Sequence, residues 1–148
     1  SSFCPLPFLN SSQAEKRFSG SMILSNNLLE IFMNDLDIPI LKKSYELYKV
    51  FHDYRKLVLK SDRFTIFKRS EDNIIDIVEL FLEAGYSKSS NKVPILEKAS
   101  VKLNTLRFLI RLMKDTKSLD NKKYICLQEM IDEIGRMLGG WIKSTKER

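Results

Sequence analysis

The stretch Pro94-Ile95-Leu96-Glu97-Lys98-Ala99-Ser100-Val101-Lys102-Leu103-Asn104-Thr105-Leu106-Arg107-Phe108-Leu109-Ile110-Arg111-Leu112-Met113-Lys114-Asp115 decides the fold. Leu96, Ala99, Leu103, Leu106, Ile110 and Met113 recur at alternating steps of three and four. That spacing places them on one face of an α-helix and forms the seam of bundle packing. Three further segments carry seams of the same kind. One runs from about Pro39 to Lys60, with Ile40, Leu47, Phe51, Tyr54 and Val58 on one side. The next starts near Asp62, a good N-cap, and runs to about Tyr86 through Phe67, Ile74, Val78 and Phe81. The last is capped by Ser118 and carries Leu127, Ile131, Ile134, Leu138 and Trp141. Four amphipathic helices of similar length with short connections predict an all-α, antiparallel up-down-up-down four-helix bundle over residues 25–148.

The helix at 94–115 has a second apolar stripe. At 100° per residue Val101, Phe108 and Leu112 fall opposite the seam, with Leu109 close by. A rim helix of a lone bundle is polar there, so two stripes predict two buried faces. The second meets either the N-terminal segment or another subunit. Contiguous exposed apolar patches usually mark interfaces, so a homo-oligomer is the favoured reading, with Val101, Phe108 and Leu112 in its interface.

Between the stripes the helix is cationic. Residues 91–117 hold seven Lys/Arg against two Asp/Glu, whereas residues 61–90 hold four against six. Ser100, Asn104, Arg107 and Arg111 share one sector, and Lys98 and Lys102 lie one turn apart on the other flank. Lys114 sits near the seam at the helix end and is long enough to snorkel outward. Arg107 and Arg111 are four apart, so their guanidinium groups are neighbours. An anionic partner would neutralise such a set, and nucleic acid is the first polyanion to consider. The alternative is a solvated face whose cations pair with bundle carboxylates such as Asp76, Glu79 or Glu83.

The run Asp132-Glu133-Ile134-Gly135-Arg136-Met137-Leu138-Gly139-Gly140-Trp141-Ile142-Lys143-Ser144 reads as helix, yet it holds three glycines and the only tryptophan. Each interior glycine costs a helix about 1 kcal/mol relative to alanine. Either the missing Cβ atoms admit a closely packed neighbour, or Gly139-Gly140 caps a frayed last turn.

The rest of the chain sets bounds. A length of 148 residues suits one domain with a core of its own. Residues 1–24 mix Ser, Pro and Phe without period and read as a loose arm or an expression remnant. Ser25 is placed to cap a short helix to about Asp35, before the break at Asp37-Ile38-Pro39. The two cysteines, Cys4 and Cys126, have no ligand-like spacing. They predict no disulfide framework and a reduced, cytoplasmic setting. No apolar run reaches the length of a membrane span, so no membrane partner is expected.

Catalytic chemistry finds little to work with. His52 is the only histidine, and one histidine cannot make a histidine-based metal site. Gly139-Gly140 is followed by no Gly-Lys-Ser/Thr and follows no strand, so it is not a phosphate loop. Glu129, Asp132 and Glu133 share a helical face, where pairing with Lys or Arg is commoner than metal binding. No enzyme, no cofactor and no metal is expected.

The residues Leu103 through Asp115, followed by Asp132 through Ser144, closely resemble the accessory variability determinant (Avd) of diversity-generating retroelements. That family lies within the four-helix-bundle proteins related to those encoded in ribosomal-RNA intervening sequences. The likeness covers about residues 39–144 and is sharpest in the last two helices. The resemblance implies a homopentameric barrel with a basic surface that binds the element's reverse transcriptase and its template RNA. It thereby implies support of error-prone cDNA synthesis in mutagenic retrohoming, with no catalysis of its own. Carried over by motif match, the nucleic-acid-binding positions are Arg107, Arg111, Arg136 and Lys143. Charge and spacing add Lys98, Lys102 and Lys114. Base specificity is not expected of a surface without a recognition helix. The chain departs from the family pattern at Leu59-Lys60-Ser61, where a proline is usual, and in its N-terminal arm. An adaptor oligomer with an acidic protein partner is the other reading.

Overall fold

Pro39 opens the first helix, because its ring presets a helical φ and its missing N–H is one that a helix start leaves unpaired. The structure is a computed structural model and describes residues 38–148. The expected arm and the helix from Ser25 lie outside the described residues. Four long helices follow in chain order: α1 Pro39–Tyr54, α2 Ile66–Tyr86, α3 Ser89–Asp115 and α4 Asn121–Lys146. Helices α1 and α3 each pack against both α2 and α4, so the four stand at the corners of a square. The described residues are all-helical, without a strand.

The seams meet at the centre. Leu96, Ala99, Leu103, Leu106, Ile110 and Met113 are all buried, as are Leu127, Ile131, Ile134 and Leu138 of α4. Phe67, Ile74 and Phe81 of α2 and Ile40, Leu47 and Phe51 of α1 complete the core, while Val78 packs at its edge. Trp141 is partly buried with its ring centroid 6.4 Å from that of Phe81.

Helix ends differ from the expectation in four places. Helix α1 stops at Tyr54, short of Lys60. The chain then makes a 3-10 turn at Arg55–Leu57, an extended step at Val58 and one helical turn at Lys60–Arg63. Arg63 holds this bend: its Nε donates to the Val58 carbonyl at 2.8 Å and its Nη2 to the Lys56 carbonyl at 2.9 Å. The bend keeps Val58 in the core, while Leu57, Leu59 and Phe64 point into solvent. Asp62 therefore caps no helix. Its carboxylate accepts from the Ser118 hydroxyl, which ties the α1–α2 connection to the α3–α4 connection.

Helix α3 begins at Ser89, so Pro94 sits inside its second turn and leaves the Ser90 carbonyl without its usual donor. At its other end Lys117 adopts a left-handed φ of 62°. The Ser118 N–H bonds the Met113 carbonyl and the Lys117 N–H bonds the Lys114 carbonyl. That is the Schellman arrangement, with lysine where glycine is usual. Ser118 is thus spent on Asp62, and Asp120 caps α4, its Oδ1 accepting from the Lys123 N–H at 2.9 Å.

Hydrogen bonding of Asp120 to the Lys123 side chain, then to the Lys123 backbone, holds its carboxyl below the usual range. Its contribution is present above the unfolded carboxyl pKa and is lost as pH falls through the lower folded value. Asp120→Ala is expected to cost about 1 kcal/mol at pH 7. In urea titrations the difference from the parent should shrink toward zero as the pH falls through that range.

Cys126 is disulfide-bonded, which corrects the expectation of no bridge; Cys4 lies outside the described residues. No described helix is long and apolar enough to cross a membrane.

Candidate partner-binding surface

Whether a cation is available to a partner depends on what it already touches. The seven expected cations divide on that basis. Lys102 is half-buried, and its Nζ lies 2.8 Å from Asp76 on α2. Arg107 reaches across to α4, where its Nη2 and Nε lie 3.1 and 3.2 Å from Asp132. Its Nη1 also donates to Asn104 at 2.7 Å. Arg111 bonds both oxygens of Asp115 one turn on, at 3.1 and 3.0 Å. The hydrogen bond to Asp115 is the main cause of its raised pKa, with Tyr124 second. Lys114 lies over the Tyr124 ring at 4.5 Å, a cation–π contact. Lys98, Arg136 and Lys143 are exposed and have no carboxylate partner among the described residues.

Bundle carboxylates thus neutralise Lys102, Arg107 and Arg111, as the solvated-face alternative anticipates, with Asp76 in the place given to it there. Glu79 and Glu83 do not pair with them. These pairs are about a third to three-fifths exposed, and such pairs contribute little stability. They are therefore also easily exchanged for a stronger anion.

The apolar stripe is where the sequence places it. Val101 and Phe108 are 65% and 66% exposed, and Leu112 is 39% exposed. They form a ridge on the outer side of α3, opposite a seam that is wholly buried.

The glycine-rich run resolves into two different cases. A Cβ on Gly135 would lie 2.6 Å from Arg107 Nη2 and 3.5 Å from Leu103 Cδ2. The missing side chain there lets the Arg107 guanidinium cross onto α4 and reach Asp132. Gly139 and Gly140 are exposed, and a Cβ on either would meet nothing within 4 Å. Close packing therefore holds at Gly135 and fails within the protomer at the other two. The capped-end alternative fails as well, since α4 continues to Lys146.

The acidic residues of α4 serve as ion-pair partners: Asp132 takes Arg107, and Glu133 takes Lys43 at 3.2 Å. No group of three metal-ligating side chains occurs among the described residues. Sequence reasoning missed one buried polar cluster. Glu71 on α2 is buried, accepts from Tyr48 at 3.4 Å and lies 3.0 Å from His52 Nδ1. Its place one helical turn from the seam residues Phe67 and Ile74 was the available signal. Gly85 also escaped notice; a Cβ there would lie 2.8 Å from Ile38 Cδ1.

Fold and surface together define a class: a basic, all-helical bundle whose outer faces mix free cations with an exposed apolar ridge. The chain belongs to the bAvd-like family, the accessory variability determinant-like proteins, whose family model matches residues 38–145. No curated protein matches it.

Proposed function

We propose that this chain is a non-catalytic accessory protein of a diversity-generating retroelement. It associates with the element's reverse transcriptase and with template RNA or its cDNA. The observation that carries this reading is the family match over residues 38–145, which spans all four helices. The bundle runs up-down-up-down. In support, the contacts His52–Glu71, Ser70–Met113 and Glu97–Lys146 each join a late position on one helix to an early one on its neighbour. Copies assemble through the ridge of Val101, Phe108 and Leu112 into a ring, five-membered by analogy with the family.

Polynucleotide binding rests on α3. Among the described residues Lys98 has no ion-pair partner and Lys114 meets an aromatic face, while Arg111 is exposed with an exchangeable partner. Lys102 and Arg107 act beside them once phosphate displaces a carboxylate. Such binding releases condensed counterions, so its affinity falls steeply with salt. Filter binding of a homopolymer RNA across a salt series tests this. Lys98→Glu, Arg111→Glu and Lys114→Glu combined should weaken binding for every sequence. They should also lower the slope of log K against log salt by about one for each phosphate that is no longer neutralised. An unchanged slope would move the polyanion to another surface.

An adaptor oligomer with an acidic protein partner is the second reading. The pairing of Lys102, Arg107 and Arg111 with carboxylates favours it, because that surface already accepts acidic side chains. Retention of reverse transcriptase without any polynucleotide at low salt would select it.

A further inference from the structure

The outer face of α2 is partly apolar and carries acids of its own. Ile75 and Tyr86 on it are 41% and 65% exposed. Glu79 and Glu83 lie between them, exposed and without an ion-pair partner among the described residues. Two glutamates four apart on a helix repel each other, and no described residue forms an ion pair with either.

A complementary face exists on the same molecule. Arg136 and Lys143 are exposed on the outer side of α4 and have no ion-pair partner among the described residues, and the exposed Gly139 and Gly140 lie between them in sequence. Between the cross-helix pairs Arg107–Asp132 and Lys146–Glu97 the α4 side of the α3–α4 groove is bare at Gly139, and Val101 and Phe108 stand beside it on the outer side of α3. Helices α2 and α4 lie at opposite corners of the square, on either side of α3. A protomer therefore presents its acidic face and its basic groove in different directions and cannot satisfy one with the other.

We infer that the α2 face of one copy docks in the α3–α4 groove of the next, Glu79 and Glu83 meeting Arg136 and Lys143. This rests on the homo-oligomer reading and names the two surfaces that join. Axial heights agree. Counting from the Asp76–Lys102 pair, Glu79 stands level with Ala99 and Glu83 with Ile95. Counting from the Arg107–Asp132 pair, Arg136 stands level with Leu103 and Lys143 with Leu96. Each acid is within about one helical turn, roughly 6 Å, of its cation when bundles stand side by side, which long side chains span. Ile75, level with Leu103 by the same count, then brings apolar area to Val101 and Phe108, and the bare backbone at Gly139 lets the incoming helix approach. Two different patches joined head to tail make a heterologous contact, which closes into a ring when its rotation permits. Arg136 and Lys143, assigned to nucleic acid by the family likeness, are thereby committed to the subunit seam.

The test is a charge swap in the full chain, read by light scattering over a dilution series. Glu79→Arg with Glu83→Lys, and separately Arg136→Glu with Lys143→Glu, should each raise the protomer concentration for half-dissociation about tenfold or more. All four changes in one chain should restore assembly to near the parent value. Assembled parent protein with reversed variants that dissociate no more easily overturns the inference, as does failure of the fourfold swap to rescue. Loss of RNA affinity in the Arg136→Glu, Lys143→Glu variant at unchanged mass overturns it too, by returning those residues to the polyanion. A parent protein that is a single protomer at all concentrations overturns the homo-oligomer reading itself, and this inference with it.

Discussion

Phe67→Ala is expected to lower the free energy of unfolding by about 3–5 kcal/mol, the usual cost of truncating a buried aromatic. Phe67 is fully buried in the first turn of α2, stacked on Phe51 of α1 with ring centroids 4.3 Å apart and planes 9° from parallel. The chain between these helices is bent and mostly exposed, so the stack is the main apolar contact closing that end. Little nearby can move in to fill the space, because Val58 is already fixed by the Arg63 bonds to the bend. Urea unfolding should show a lower midpoint with an unchanged slope. Phe64→Ala supplies the comparison. Phe64 is 73% exposed, only three residues away, and its loss should change stability by about 0.5 kcal/mol or less. Equal effects at the two positions would mean that the core is packed differently at this end.

That comparison also shows what could be read from sequence and what could not. Phe67 belongs to a seam whose period continues through Ile74 and Phe81, so its burial is written in spacing alone. Phe64 stands ahead of that period, where the chain's direction depends on Arg63 reaching back to two carbonyls. No local pattern encodes a bond of that kind, and α1 accordingly ends six residues before the sequence suggests. Helix α3 ends at Asp115 as its period suggests, but the residue that stops it was hidden for a similar reason. A left-handed residue is expected to be glycine, and Lys117 takes the position instead. Asp120 and Ser118 are both acceptable N-caps. The choice between them turns on Asp62, which engages Ser118 from the far end of the chain.

The candidate surface was legible in part. Angular position on α3 foretold the ridge, because the wheel depends only on residue number. Which cations remain free did not follow from it. Lys102, Arg107 and Arg111 lie near carboxylates on α2, on α4 and one turn along α3 respectively. Only the last of these is a sequence neighbour, and it alone was within reach of an i,i+4 argument. The other two depend on how the helices dock. The glycines show the same division. Their cost to α4 is readable from propensity, whereas the Arg107 contact at Gly135 and the open space at Gly139 and Gly140 are facts of tertiary structure.

Phe108→Asp is expected to reduce the assembly to single protomers while leaving the helix content unchanged. Fully covering a Phe side chain contributes about 1.5–3 kcal/mol relative to leaving it wet. In a ring that gain recurs at every subunit junction, so its loss is multiplied. The substitution also places an unpaired carboxylate where the interface must dry, and such burial carries a further penalty of its own. Val101→Asp, two turns earlier on the same ridge, should act alike, and Leu112→Asp less strongly, since Leu112 is already the most covered of the three. Leu106→Asp separates assembly from folding. Leu106 is fully buried in the seam, so this change should abolish the helical signal itself. Light scattering and circular dichroism on the four variants then give two distinct signatures from one helix. Ridge variants lose mass and keep helix, whereas the seam variant loses both. A Phe108→Asp protein of unchanged mass would leave the ridge as an exposed surface of the assembled protein, free to receive a different macromolecule.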